Sequence, residues 1–375
     1  MLELFTTILE SKDIMKKDRD SNFEVLRLIA MYMIVLIHTT SYSGLFCTGK
    51  NMAVCNGIIN GICNIGVTCF ILISGYYGIE FKIKKLVKME CMMISLSLVE
   101  TVILYIIFPG QLQEAALLEQ LVKSLLPFIS RKYWFYSCYV CIMLFSGYIQ
   151  KLIDTMDQKG MQKLLLLLLL LFSILPTIFY FEIVPDNGKG LVQMIMVYLI
   201  GRYIRKYDIR LPGWGIPVFL GLWCLNGLSH EIPIRIGDVY HHLCKDNSIT
   251  NLSMAVLLFL LFKGWKIQAR FINRIAGYMF AVFALNNSLA GCAIKGLQSG
   301  GFQSPDGWQG FILLVGTALI IFLECILIGG IREALLGWLD RKIVNVSEKL
   351  MIQTQGWLEQ KNRNNEGNDN EDTDK

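Results

Sequence analysis

The sequence is short of charge. Only 17% of its 375 residues are Asp, Glu, Lys or Arg, whereas soluble domains carry about 25%. A soluble protein of this length needs more polar surface than that, so the composition excludes an ordinary soluble domain. Hydrophobic residues make up 54% of the chain, and the mean hydropathy is +0.49. Their even spread in long apolar blocks predicts one membrane-embedded helical bundle.

Other features that the sequence lacks limit the classes of function that it allows. The eleven Cys include one CxxC pair, Cys138 and Cys141, but no second pair that would complete a metal site, so we predict no metal centre. No internal repeat is visible, and transporters often contain one, which counts against a carrier. The net charge of +5 lies in short clusters beside apolar runs. This arrangement indicates contact with lipid headgroups and not a nucleic-acid surface.

Ten apolar runs are each long enough to cross a bilayer, which takes about 20 residues. The predicted spans are residues 23–43, 57–79, 87–108, 133–151, 163–183, 190–206, 212–229, 249–265, 275–296 and 308–330. Lys and Arg concentrate in alternate connecting segments, with 23 in one set and 8 in the other. Because cytoplasmic loops carry the excess of Lys and Arg, we predict that both termini are cytoplasmic.

This topology divides the chain into three segments. Residues 1–22 form a basic cytoplasmic segment, and the long apolar run that follows predicts an uncleaved first span and no cleavable signal peptide. Residues 23–332 form the ten-helix membrane domain. Residues 333–375 form a cytoplasmic tail, which we predict to be disordered from about residue 360 because it is polar and free of aromatic residues there.

His38 and Arg27 are the most informative residues, because ionisable groups inside a bilayer are costly and usually functional. Both lie in the first predicted span, eleven positions apart. This separation is about three helical turns, so both side chains face the same way, about 16 Å apart along the axis. Snorkelling of Arg27 to headgroups and simple packing of His38 are the alternative interpretations.

Three other features add polar groups around this pair. Glu24 precedes Arg27 by three residues and is placed to form an ion pair with it. Ser74 and Gly75 end the second predicted span, where small residues also suit ordinary helix packing. Glu324 stands alone in the apolar run of the tenth span and is therefore protonated, paired or directed into a polar cavity.

A basic cluster, KIKKLVK, follows the second span and contains Lys84, Lys85 and Lys88. Lys85 and Lys88 are nearly one turn apart, so together they are able to bind one anionic group. Simple loading of a cytoplasmic loop with positive charge explains the same cluster equally well.

Taken together, these segments resemble the acyltransferase 3 family of integral membrane proteins. The acidic residue, the LR pair and the His after ten further residues resemble the opening motif of that family. An FFxxSGY-like stretch, a basic cytoplasmic cluster and a YWF-containing helix follow. The matching residues are Glu24, Leu26, Arg27 and His38; Phe70, Ser74, Gly75 and Tyr76; Lys84, Lys85 and Lys88; and Tyr133, Trp134, Phe135 and Tyr139.

The resemblance implies transfer of an acyl group, usually acetyl, from cytoplasmic acyl-CoA to a hydroxyl of an extracytoplasmic glycan in the cell membrane. It implies His38, Arg27, Glu24, Ser74 and Glu324 as catalytic candidates. It implies that Arg27, Lys84, Lys85 and Lys88 bind the donor substrate, with no bound cofactor.

The sequence departs from the family pattern in two places. The basic cluster contains only Lys, so the bidentate grip of Arg on phosphate is absent there. Asn286 stands where many relatives have a His in the ninth span. This difference puts in doubt any role for a second His and the full acyltransferase activity. Three alternatives stay open: a glycan or lipid-linked sugar transporter or flippase, a non-catalytic relative, and an unrelated membrane acyltransferase.

Overall fold

The computed structural model describes residues 20–42, 52–107, 114–232, 234–236, 239–303 and 307–372, and it is predominantly helical. Most of the predicted N-terminal segment 1–22 lies outside these residues. The helices and strands, in chain order, are α1 Ser21–Tyr42, α2 Met52–Cys63, α3 Gly66–Tyr77, α4 Ile83–Ile107, α5 Glu114–Leu125, α6 Trp134–Thr155, α7 Gln158–Leu169, α8 Leu175–Phe179, α9 Leu191–Lys206, α10 Gly215–Glu231, β1 Ile234–Ile236, β2 Val239–His241, α11 Ile249–Lys263, α12 Arg270–Ile275, α13 Met279–Ser299 and α14 Trp308–Asp372. Strands β1 and β2 form a small antiparallel hairpin.

Each of the ten predicted spans coincides with helical structure, but the helices differ in length. Across the described residues, seven helical segments are long and apolar enough to cross a membrane. They are Ser21–Tyr42, Asn56–Tyr77, Ile83–Ile106, Trp134–Thr155, Gln158–Phe179, Arg270–Ser299 and Trp308–Met351. Helices α9, α10 and α11 are shorter, with 16, 17 and 15 residues. The chain is a multi-pass helical membrane protein.

Helix α1 lies at the centre of the bundle, between two apolar clusters. Val35 and Leu36 pack in a cluster with side chains of α13 and α14. Leu26 and Ala30 pack in a second cluster with side chains of α3, α9 and α11. All four are buried. This placement explains the uniformly apolar sequence of α1, since it has protein on both sides, and it makes its few polar residues conspicuous.

Helices α3 and α9 cross at two glycines. A Cβ added to Gly75 would lie 2.3 Å from the carbonyl oxygen of Tyr198, and one added to Gly201 would lie 2.6 Å from that of Leu72. Contacts this short are sterically forbidden, so no larger residue fits either position without moving a helix. Gly75, one of the small residues noted in the second predicted span, is therefore required for helix packing.

The C-terminal helix differs from the sequence-based expectation. Helix α14 continues to Asp372, whereas the polar composition predicts disorder from about residue 360. No proline interrupts this stretch, and each residue added to an existing helix gains a backbone hydrogen bond.

The α3–α9 crossing gives a test of the fold. Gly75→Ala is expected to lower the free energy of unfolding by about 1–3 kcal/mol, because it overpacks a closed contact. Thermal unfolding of the detergent-solubilised protein measures this change. Gly147→Ala is the matched control, since a Cβ at Gly147 on α6 meets nothing within 4 Å. Equal stability of the two variants would contradict the crossing.

Candidate active site

A cavity of about 320 Å³ runs along the inner face of α1. Arg27 and His38 both line it, as the eleven-residue spacing predicts, and Ser74 of α3 lies in the same wall. Most of the remaining wall is apolar or aromatic and comes from α2, α3, α4, α6 and α13; Trp134 and Tyr139 are among its members. One enclosed space therefore connects the guanidinium of α1 with its imidazole.

Asn286 on α13 holds the His38 ring. The two side chains meet with His38 Nδ1 and Asn286 Oδ1 2.5 Å apart. The amide nitrogen of Asn286 donates to the backbone carbonyls of Val282 and Phe283, at 2.8 and 3.0 Å. Those bonds direct the amide oxygen at the imidazole, so Nδ1 must carry the proton and donate it. Nε2 is then the basic nitrogen of the ring. Asn286 therefore positions the imidazole, a role that was not expected when it was noted only as a replacement for the His of many relatives.

Arg27 forms the predicted ion pair with Glu24. Arg27 Nη1 lies 2.7 Å from Glu24 Oε1, one turn away on α1. The Glu24 side chain is only 5% exposed, whereas that of Arg27 is 26% exposed. Glu24 therefore fixes the guanidinium from the protein side, and part of the positive charge remains available to an anion in the cavity.

The structure does not bring every candidate residue to this cavity. The Ser74 hydroxyl donates to the carbonyl of Phe70 at 3.0 Å, so its proton is already engaged within α3. The N–H of Gly75 lies in the helix interior, where the helical ladder occupies it. Glu324 is exposed on the outer surface of α14 and does not line the cavity. Of the three environments expected for Glu324, a polar cavity is therefore not the one found here.

The three lysines of the basic cluster are exposed near the start of α4 and lie outside the cavity wall. Lys84 Nζ forms an ion pair with Glu348 Oε1 of α14 at 2.6 Å. Lys85 lies one turn before Met89, which is part of the wall. Lys85 and Lys88 are thus close to one end of the cavity without entering it.

A buried polar network on α4 was missed at the sequence level. Lys132 Nζ lies 2.8 Å from Glu100 Oε2, and both side chains are nearly buried, at 12% and 9% exposure. The same carboxylate accepts hydrogen bonds from Tyr133 of the segment before α6 and from Ser288 of α13. Glu100 stands in the middle of the third predicted span, and an acidic residue in such a run was the available signal.

Two charged residues from loops also line the cavity. They are Lys189, just before α9, and Asp246, between β2 and α11. Burial raises the pKa of the Asp246 carboxyl to about 7, and the charge of Lys189 opposes this rise. No sequence pattern marks either residue, because loop charges usually face water.

This architecture defines a class: a multi-pass helical membrane protein with a charged cavity that holds a positioned histidine. A family model described as an acyltransferase domain matches residues 20–329, and the chain belongs to this family, acyltransferase 3. The protein is accordingly a membrane acyltransferase. No curated protein and no solved structure matches the chain.

The Glu100 network gives a test of stability. Lys132→Met leaves the Glu100 carboxylate buried without its cation, and loss of one member of a buried pair costs about 3–5 kcal/mol. A large fall in the thermal unfolding midpoint is therefore expected. Lys123→Met is the control, because Lys123 pairs with Glu119 on the surface of α5. Its stability should match that of the unmodified protein; a shift equal to that of Lys132→Met would contradict the role of the network.

Proposed function

We propose that this protein is an O-acyltransferase of the cell membrane. It moves an acyl group, in the first instance acetyl, from cytoplasmic acyl-CoA to a hydroxyl of an extracytoplasmic polysaccharide or glycan. The observation that carries the proposal is the cavity that joins Arg27 to His38, with the imidazole held by Asn286. Family membership supports acyl transfer as the reaction.

The proposal includes the topology of ten crossings with both termini in the cytoplasm. Helices α9, α10 and α11 would then cross as short spans of about 23–26 Å, at 1.5 Å per residue. The hydrocarbon core is about 30 Å thick, so flanking non-helical segments complete these crossings inside the protein. Support comes from the asymmetry of 23 against 8 basic residues. Arg27 then lies towards the cytoplasm and His38 in the outer half.

The chemistry follows from the tautomer of His38. A sugar hydroxyl is a poor nucleophile until a base removes its proton. Nε2 of His38 takes that proton as the hydroxyl oxygen bonds to the thioester carbonyl carbon. The C–S bond then breaks, and the CoA thiolate leaves with the proton returned by the imidazolium. Asn286 keeps Nδ1 protonated throughout and stabilises the ring in one orientation.

His38 and Asn286 give the central test. His38→Ala is expected to lower acyl transfer about 100- to 10,000-fold through loss of the general base. Asn286→Ala should lower kcat by about 10- to 100-fold through misorientation of the ring, with little change in KM. Asn286→Asp keeps the acceptor oxygen but loses the amide donors to Val282 and Phe283, so it should also lower kcat. Thiol release from acetyl-CoA and O-acetyl content of surface glycans by proton NMR measure these effects.

His230→Ala is the matched control for the imidazole. His230 contacts Glu231 at the end of α10 and lies outside the cavity wall. The variant should insert, fold and acylate normally. Full activity of His38→Ala, or an equal loss in His230→Ala, would refute the catalytic assignment.

Donor binding is assigned to Arg27, Lys85 and Lys88, which we propose contact the CoA phosphates. Each exposed charge contact is worth about 1 kcal/mol or less, so the double variant Lys85→Ala/Lys88→Ala should raise the acyl-CoA Kd by about tenfold. The effect should shrink as salt rises. Lys159→Ala/Lys163→Ala, two exposed lysines of α7, is the control of equal charge. An unchanged Kd in the first double variant would contradict the assignment.

A further inference from the structure

The two outer loops that carry Lys189 and Asp246 are docked firmly against each other. Lys245 Nζ lies 3.3 Å from Glu182 Oε1, and both side chains are largely buried. Gly188 has φ of +80°, and a Cβ there would lie 2.4 Å from the backbone nitrogen of Asn247. This left-handed conformation and close approach suit only glycine. The contact fixes the backbone on which the two cavity charges stand.

Further hydrogen bonds tie the same loops to the bundle. Gln193 Nε2 of α9 donates to the carbonyl of Asp246 at 3.2 Å. Ser173 Oγ donates to the carbonyl of Asn247 at 2.7 Å. These bonds engage the backbone of the loop and leave the Asp246 carboxylate free to face the cavity. Asp246 is therefore held in a fixed position although it belongs to a loop.

Lys189 and Asp246 lie at the His38 end of the cavity. Lys189 is close enough to act electrostatically on both His38 and Asp246. Arg27, at the opposite end, is about 16 Å from His38 along α1. The cavity therefore has a cationic end and, beyond the imidazole, an end with one positive and one negative group.

Neither the Lys189 nor the Asp246 side chain is paired within the part of the protein that the structure describes. Among the described residues, no ion pair engages Lys189 or Asp246, and no hydrogen bond to either side chain is found. Asp246 is only partly buried and lines the largely apolar cavity, so its carboxylate is accessible to a ligand there.

We propose that Asp246 and Lys189 form the acceptor subsite, and that they bind a neutral polyhydroxylated ring, a sugar residue, beside His38. The Asp246 carboxylate accepts hydrogen bonds from ring hydroxyls, and the Lys189 ammonium donates to a hydroxyl or ring oxygen. Trp134, also in the wall, offers an apolar face to the ring. Because the two lining charges have opposite signs, the net charge of the wall favours neither an anionic nor a cationic sugar over a neutral ring. The assignment rests on the proposed function and names its acceptor class and residues.

Binding is tested first without catalysis. The full-length protein in detergent is titrated with methyl glucoside, methyl glucuronide and methyl glucosaminide, and intrinsic fluorescence is recorded because Trp134 lies in the wall. The neutral glycoside should bind most tightly. Asp246→Asn and Lys189→Ala should each weaken its binding at least tenfold. Lys123→Ala, which removes a surface lysine of α5 outside the cavity wall, is the control and should bind normally.

Transfer is tested second, with acetyl-CoA and the same glycosides. In Asp246→Asn and Lys189→Ala the acceptor KM should rise at least tenfold, while the KM for acetyl-CoA, which binds towards the Arg27 end, stays unchanged. No fluorescence change with any glycoside, unchanged binding in both variants, or an equal loss in Lys123→Ala would overturn the subsite. Variant-sensitive binding without any acyl transfer would instead overturn the proposed function and leave the subsite standing.

Discussion

An ionisable group within the membrane part of this chain is costly unless it finds a polar partner inside the protein, because hydrocarbon offers none. The described structure meets this requirement repeatedly. Arg27 pairs with Glu24, and Lys132 pairs with Glu100. Arg332, nearly buried on α14, forms a two-point contact with Asp340 and reaches Ser95 of α4. Two of these pairs lie within one helix, whereas the Lys132–Glu100 pair and the Arg332–Ser95 contact join different elements of the bundle.

The same requirement distinguishes structural charges from chemical ones. The Glu100 carboxylate is saturated by Lys132, Tyr133 and Ser288, so it has no capacity left for a substrate. His38 is held at one nitrogen only, and the part-exposed Arg27 is held by one carboxylate. Within the cavity, Nε2 of His38 and the exposed part of the Arg27 guanidinium remain available to a substrate. This contrast is the physical reason to assign the chemistry to α1.

The sequence predicts the elements of the fold well and their interactions unevenly. Each of the ten apolar runs coincides with helical structure, because a run that enters lipid must be helical, but the runs do not show that α9, α10 and α11 are short. Helical periodicity places Arg27 and His38 on one face, since that relation is local. It says nothing about Glu324, whose outward direction depends on how α14 packs.

Contacts between residues that are far apart in the sequence could not be predicted from it. Asn286 is 248 positions from His38, and its contact depends on the packing of α13 against α1. In the family comparison Asn286 was a missing histidine; in the structure it supplies the hydrogen-bond acceptor that fixes the tautomer of His38. A His at 286 would also be able to accept this bond through a ring nitrogen, so the substitution keeps the function that the geometry requires. Asn does this without a second titratable group in the cavity, and its amide hydrogens, anchored on α13, leave only its oxygen to meet the imidazole. The departure from the family pattern is therefore compatible with a working general base.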